Sequence, residues 1–363
     1  MKRNKTPVYY GDYLQLDKIL GAQKMQSANY GDPAHDEMLF VIVHQVYELW
    51  FKQILHELNA VITVFNQKNI PDNALIEVVH RLHRIIQIQQ LLNDQISVME
   101  TLTPQQFLAF RDYLVPASGF QSIQFKRLEI SLGLKREFRI DFDKQSFYNR
   151  LTADDRQILE ELESKPSLFE LVEQWLARMP LMEKDEFAFW QHFKDASDHC
   201  LQSDRQIIEN NETLSDKEKR QELKDLDATR QSFAALFDKE AYKKLNEEGT
   251  FRLNHEAMMA MLFIKQYPEE PIFNLPFQLI TALTEIDEKL TIWRYRHAMM
   301  VQRMLGTKIG TGGSSGHQYL KKTTDSNRIF VDFFNAASFL LPKDMLPPLP
   351  EQVKHYFGFY QKR

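Results

Sequence analysis

A chain of 363 residues with 43% hydrophobic and 26% charged side chains has an ordinary globular balance, and is long enough to wall off a dry pocket. Its formal net charge of -5 leaves no domain-wide Lys/Arg excess to meet phosphates, which argues against nucleic-acid binding. The single cysteine, Cys200, excludes an intrachain disulfide, a CxxCH haem-attachment site and a zinc site built on two thiolates.

No apolar run approaches the ~18 residues of a membrane span, and no apolar stretch follows the basic start MKRNKTPVYYGDY. A cytoplasmic protein is expected. The 12 glycines are about half the usual ~7%, which favours long helices over many short strands.

Hydrophobic spacing is helical almost throughout, so the expected class is all-α: a helical bundle forming one domain over 1–363. Within an N-terminal arm, 1–25, Tyr13, Leu14, Leu16, Ile19 and Leu20 make a first amphipathic stretch. Asp32-Pro33 suit an N-cap and first helical position, opening a long helix through Phe65. A second runs from about Asp72 to Val98. Thr103-Pro104-Gln105-Gln106 has the form of a capping box, making Phe107 to Leu114 helical. Pro116 stops that helix, Ser118-Gly119 turns a corner, and Phe120 to Leu132 resumes.

A polar excursion spans about 203–247. Its first part, Ser203 to Arg230, is dense in charge and poor in large apolar residues, and reads as a solvated helical hairpin rather than a binding surface. Helical spacing returns at Asn254 to Lys265 and at Pro276 to Leu305. The loop GTKIGTGGSSG then holds five of the 12 glycines, marking a place of backbone freedom or close approach. Phe330 to Leu341 and Glu351 to Tyr360 close the chain, and no internal repeat is visible.

Several sites are excluded by spacing. His56-Glu57 and His255-Glu256 lack the second His of HExxH, and the glycine loop lacks the G-K-[ST] ending of a phosphate loop. His80 and His83, at i, i+3 on a polar helix, read as solvated histidines before a metal pair.

Two other histidines stand out. Helical spacing puts Phe40, His44, Tyr47 and Phe51 on one face, and Leu290, Trp293, His297, Met300 and Met304 on another. Each His taken alone is more commonly a packed core residue. The sharper reading is a metal ligand, because neutral imidazole suits haem iron and a Leu/Trp/Met wall suits a porphyrin face. Two such helices facing each other would leave a slot with one His on each side. Phe107, Phe110, Arg111 and Leu114 share a third face. Arg111 either snorkels to solvent or clamps a carboxylate beside an apolar pocket.

Four blocks in order, YGDYLQLDKILGAQ, FVIVHQVYELWFKQ, FRDYLVPASGFQS and WRYRH…GTGGSSG, resemble tryptophan 2,3-dioxygenases from about Tyr10 to Leu341; the polar stretch after Ser203 has no clear match. The resemblance implies a haem-dependent opening of the indole C2–C3 bond of L-tryptophan by O2, giving N-formylkynurenine, the first step of the kynurenine route. It implies haem b, one per subunit, with His297 as the iron ligand and Trp293, Ser118, Gly119 and Lys126 around the cofactor. His44 matches the histidine beside the indole nitrogen, Phe40 and Phe107 the pocket walls, and Arg111 the grip on the substrate carboxylate. Thr311 matches a residue at the substrate's amino-acid end. Tyr10 and Tyr13 match tyrosines inserted into a neighbouring subunit's pocket, which implies a homotetramer. Lys126 stands where some relatives place an Arg near a haem propionate; a Lys pairs there as a point charge. A relative acting on another indole, and a scaffold that binds haem without turnover, remain alternatives that product analysis separates.

Overall fold

The computed structural model describes residues 6–139, 151–179, 189–306 and 316–346, with Asn4, Tyr148, Lys308 and Leu349. Among these there are helices and no strand: α1 Tyr10–Leu14, α2 Leu16–Leu20, α3 Glu37–Phe65, α4 Asp72–Met99, α5 Pro104–Arg111, α6 Ile123–Leu132, α7 Ala153–Glu163, α8 Leu168–Ala177, α9 Phe189–Asn210, α10 Asp216–Leu236, α11 Lys239–Glu247, α12 His255–Gln266, α13 Pro271–Leu305, α14 Gly316–Ser326 and α15 Val331–Asn335.

The expected all-α class is what folds. Helix α4 backs both α3 and α13, while α14 lies along α13 and α6 and α8 pack on α3. The α3–α4 interface buries Leu58, Val61, Val78 and Leu82 completely, each worth roughly 1.5–3 kcal/mol of apolar transfer. Polar side chains of α4 then fix the register. Gln95 donates to the Val43 carbonyl at 3.1 Å, and the Leu92 carbonyl accepts from the Tyr47 hydroxyl at 2.9 Å. On the other side, Gln89 donates to the Ile286 carbonyl at 3.2 Å and Asn93 to the Lys289 carbonyl at 3.1 Å. One helix therefore positions the two that carry His44 and His297.

A buried carboxylate adds a polar lock to this interface. Glu57 accepts from Arg81 and Arg84 of α4 at 2.8 Å each, and from Gln53 at 2.8 Å. Burial alone would raise its pKa, but the two guanidiniums outweigh that and hold it below the usual range. Arg81 and Arg84 keep access to water, so removing Glu57 costs the charge-assisted bonds and strands no buried charge. Glu57→Leu should therefore cost on the order of 1–3 kcal/mol at neutral pH. Because the folded pKa is depressed, this stability is present above about pH 4.5 and lost as pH falls through the folded value. Urea melts should accordingly show the gap between parent and variant closing below pH 4.5; a gap constant with pH would remove the carboxylate from this role.

Local signals decide several boundaries. Thr103 and Gln106 form the expected reciprocal cap, with Pro104 in the first turn. Helix α4 ends one residue past the expected Val98. The polar hairpin is α9 and α10, capped at its turn by Ser215 and Glu218, with Phe193, Leu201 and Phe233 rooting its base in the core.

Other boundaries differ from expectation. Asp32-Pro33 do not start α3, which begins at Glu37. The Glu37 carboxylate instead accepts from the Gln26 and Ser27 amides at 2.7 and 3.0 Å, and the Ser27 hydroxyl accepts from the Ala34 amide at 2.9 Å, so residues 26–37 close on themselves. Pro276 does not start α13. The helix begins at Pro271 and carries Pro276 in its interior, because buried Phe273, Leu279 and Ile280 offset the lost hydrogen bond. After Ser118 the chain makes a 3-10 turn, Gly119–Gln121, before Ser122 caps α6. The first amphipathic stretch is broken at Gln15, which has φ 53°. The stretch Phe330 to Leu341 holds α15 followed by a 3-10 turn, Ala336–Phe339. The last stretch, Glu351 to Tyr360, lies outside the described residues.

Candidate active site

Between α3, α5, α6, α13 and α14 lies a cavity with about 310 Å³ open to the centres of water-sized molecules. His44 and His297 line it from opposite long helices, and Phe40, Phe107, Trp293, Ser118, Gly119 and Lys126 line it with them. The juxtaposition expected from two helical faces is thus present.

His44 is held by its own helix. Its Nδ1 lies 2.7 Å from the Phe40 carbonyl, one turn back. A carbonyl can only accept, so Nδ1 carries the proton and Nε2 of the neutral ring is left as an acceptor. The Phe40 ring packs on the imidazole at 4.1 Å between centroids. Water reaches the ring through the open cavity, yet protein surrounds it closely. That desolvation lowers its pKa, against the opposing pull of the Phe40 carbonyl and the Glu48 charge. His44 is therefore neutral at neutral pH.

His297 stands on α13, stacked on Trp293 one turn earlier at 5.1 Å and 4°. Trp293 is itself wedged by Phe125 at 5.0 Å and set edge-on to Tyr47 and Phe51. Burial, and secondarily His44, bring the His297 pKa down to about 4. Its Nδ1 is buried and has no hydrogen-bond partner among the described residues. Met300 and Met304 continue the same wall.

Helix α5 closes a third side. Phe107 lies 5.7 Å from Phe40 and Phe110 packs edge-on to it at 5.5 Å. Arg111 ends this helix with a side chain 17% exposed, its Nη1 3.4 Å from exposed Asp112. That long contact to a solvated carboxylate is worth at most about 1 kcal/mol. Arg111 is not among the residues that line the cavity.

The far wall holds charged groups that helical spacing did not single out. Arg294, one turn before His297, donates to Glu129 of α6 at 2.6 Å and to the Asn327 carbonyl after α14 at 2.8 Å. All three residues are buried at the cavity edge. The signal was available, since Arg294 is i−3 from His297 and Glu129 is i+3 from Lys126, but the partners are distant in sequence. Glu48, i+4 from His44, is a further unanticipated lining residue.

A family model described as tryptophan 2,3-dioxygenase matches residues 1–340. The chain belongs to the tryptophan 2,3-dioxygenase family. It is 73% identical over 360 residues to a tryptophan 2,3-dioxygenase of Alteromonas mediterranea, covering 99% of each chain. It is 46% identical over 354 residues to one of Bdellovibrio bacteriovorus, covering 98% of this chain and 99% of that one. A tryptophan 2,3-dioxygenase of Dictyostelium discoideum is 46% identical over 353 residues, covering 97% and 88%.

Against the family's expected sites, the cavity gathers eight residues named from the sequence, with Arg111 adjoining on α5. Tyr10 and Tyr13 are elsewhere: each is 75% exposed on α1. Thr311 and most of the glycine loop lie outside the described residues. His80 and His83 are exposed, and no group of three potential metal ligands occurs among the described residues. No helix among them is long and apolar enough to cross a membrane.

Proposed function

We propose that this cavity is where the enzyme performs the reaction of its family, with haem b ligated by His297. The chain is a dioxygenase that oxidatively opens the indole C2–C3 bond of L-tryptophan with O2 to give N-formylkynurenine, the first step of tryptophan breakdown by the kynurenine route. One observation carries the site assignment: two neutral histidines from separate helices meet across one apolar cavity, and the ring of His297 has no polar partner in the described fold.

The donor set fits haem. A histidine held near pKa 4 offers its lone pair at neutral pH without first losing a proton. The stacked Trp293 fixes the plane of the ring, and Met300 and Met304 supply an apolar face. Lys126, buried on α6, and the Ser118-Gly119 corner would meet the polar edge of the cofactor. When bound, haem supplies the O2 chemistry, which no protein side chain provides.

The protein's share is placement. Arg111 would take the carboxylate of L-tryptophan, while Phe40 and Phe107 hold the indole. The indole N–H would donate to His44 Nε2, the acceptor left by the Phe40 bond. Phe110 and the Phe107 ring exclude water from that side. Thr311 would contact the amino-acid end of the substrate. The test is an absorption spectrum of the purified protein, repeated with tryptophan under air, with product analysis. A histidine-ligated haem spectrum and N-formylkynurenine are expected; no product from ferrous haem, O2 and tryptophan would overturn the reading.

His44 orients substrate in this scheme and is not indispensable. His44→Ala should keep its haem and retain measurable turnover, and 1-methyltryptophan, which has no N–H to donate, should discriminate poorly between variant and parent. Complete loss of turnover with haem and tryptophan still bound would make His44 an essential base.

The active site is shared between subunits of a homotetramer. Gln23 donates to Gln45 at 2.7 Å, and Gln45 to the Ala22 carbonyl at 3.2 Å, so the arm is tied to α3 beside His44. Before this tether, Tyr9, Tyr10, Tyr13 and Leu20 are all exposed. Aromatic rings left in water on a terminal segment call for a partner surface. Deleting residues through Tyr13 should weaken tryptophan binding and leave haem content intact. An arm-deleted chain mixed with a His297→Ala chain should recover activity; a monomeric, fully active protein in sedimentation would end the idea.

A further inference from the structure

The Ser118–Ser122 corner forms one wall of the cavity and the His44 helix another, yet the two belong to segments more than seventy residues apart. Beside the apolar packing of Phe51 on Phe125, hydrogen bonds to Glu48 join the two. Glu48 stands one turn after His44 on α3, half-buried, with its side chain at the cavity edge. One carboxylate oxygen accepts from the Ser122 hydroxyl at 2.6 Å. The other accepts from the Gln124 amide at 2.8 Å, and the same amide reaches the Glu48 backbone carbonyl at 2.8 Å.

The corner itself is internally stiff. Ser118 and Gln121 cap its 3-10 turn reciprocally, and the Ser122 hydroxyl, while donating to Glu48, accepts from the Phe125 amide to start α6. A stiff unit carrying Ser118, Gly119 and Phe120 is therefore hydrogen-bonded to α3 through the Glu48 carboxylate. The residue type matters. Two neutral donors converge on two oxygens, which only a carboxylate can offer as paired acceptors; an amide presents one acceptor and one donor.

We propose that Glu48 is a positioning residue for the reaction: its carboxylate holds the Ser118–Phe120 wall at a fixed separation from His44, and so fixes where the substrate lies. It touches neither substrate nor cofactor in this role. The inference rests on the assignment of the cavity as the active site. A shift of about 1 Å in a positioning group can cost on the order of a hundredfold in rate, so a latch made of a few hydrogen bonds can matter far more to turnover than to folding.

The test is steady-state kinetics on the haem-loaded enzyme, with haem content and thermal unfolding measured alongside. Glu48→Ala should lower kcat for tryptophan by on the order of tenfold to a hundredfold, with KM changed less and haem stoichiometry kept. Glu48→Gln, nearly isosteric, keeps one of the two bonds and should fall between parent and Glu48→Ala; it carries the test if Glu48→Ala fails to fold. Gln124→Ala should lower kcat in the parent but have a smaller further effect in the Glu48→Ala background, where its side-chain partner is already gone. A fall in Tm with kcat unchanged, or fully additive effects of Glu48 and Gln124, would overturn the proposal and leave a merely structural contact. Phe40→Ala serves as reference. If it changes tryptophan turnover and Glu48→Gln does not, only this inference fails. If neither does, the assignment of the cavity fails with it.

Discussion

Replacing His297 with Ala is expected to abolish tight haem binding, or to leave a high-spin, inactive iron. The physical reason is the absence of a substitute. Among the described residues no second histidine stands on the α13 wall: His44 lies across the slot on α3, and the lone Cys200 is on α9, outside the cavity wall. Met300 and Met304 share the helix of His297, and a thioether could at most replace it weakly, with a changed spectrum. Because His297 makes no hydrogen bond in the described fold, its removal breaks none. The loss should therefore appear in haem stoichiometry and the Soret band, with helical content unchanged. A variant that kept a normal histidine-ligated spectrum and full activity would sink the assignment.

Truncating Arg111 should lower kcat/KM for tryptophan by on the order of tenfold or more, the cost of a charge-assisted hydrogen bond to the substrate carboxylate. Turnover of tryptamine, which lacks that carboxylate, should change much less. The contrast rests on where Arg111 sits. It ends the helix that carries Phe107 and Phe110, so the charge is fixed beside the aromatic wall, and its 3.4 Å contact with Asp112 costs little to exchange. A substrate without the carboxylate forgoes the charge-assisted hydrogen bond that the guanidinium would give it, which is a stronger discriminator than a single apolar contact. Equal losses for both substrates would place Arg111 in folding and not in recognition.

How much of this was legible depends on the range of the interaction. The Thr103–Gln106 cap and the bounds of α4 and α12 depend on residues within one turn, and spacing alone read them within a residue. The two faces bearing His44 and His297 were legible for the same reason, since helical periodicity decides which side chains point the same way. Where the Asp32-Pro33 signal misled, Glu37, five positions after Asp32, had already claimed the Gln26 and Ser27 amides. Pro276 misled in another way. Its local cost is real, but the buried face of α13 outweighs it, and burial cannot be read from a dipeptide.

The sequence by itself determined the helical class, the faces on which the candidate groups lie and the chemistry those groups can offer, because each follows from composition and a 3.6-residue period. Only the tertiary structure decided that the faces meet. The α4 bonds to the Val43, Ile286 and Lys289 carbonyls set the two histidine helices against one cavity, the Arg294–Glu129 pair crosses 165 residues, and the Glu48–Ser122 latch crosses 74. Such partners are chosen by the packing of the whole chain, and a hydrogen bond between residues that far apart leaves no periodic trace in the order of the amino acids.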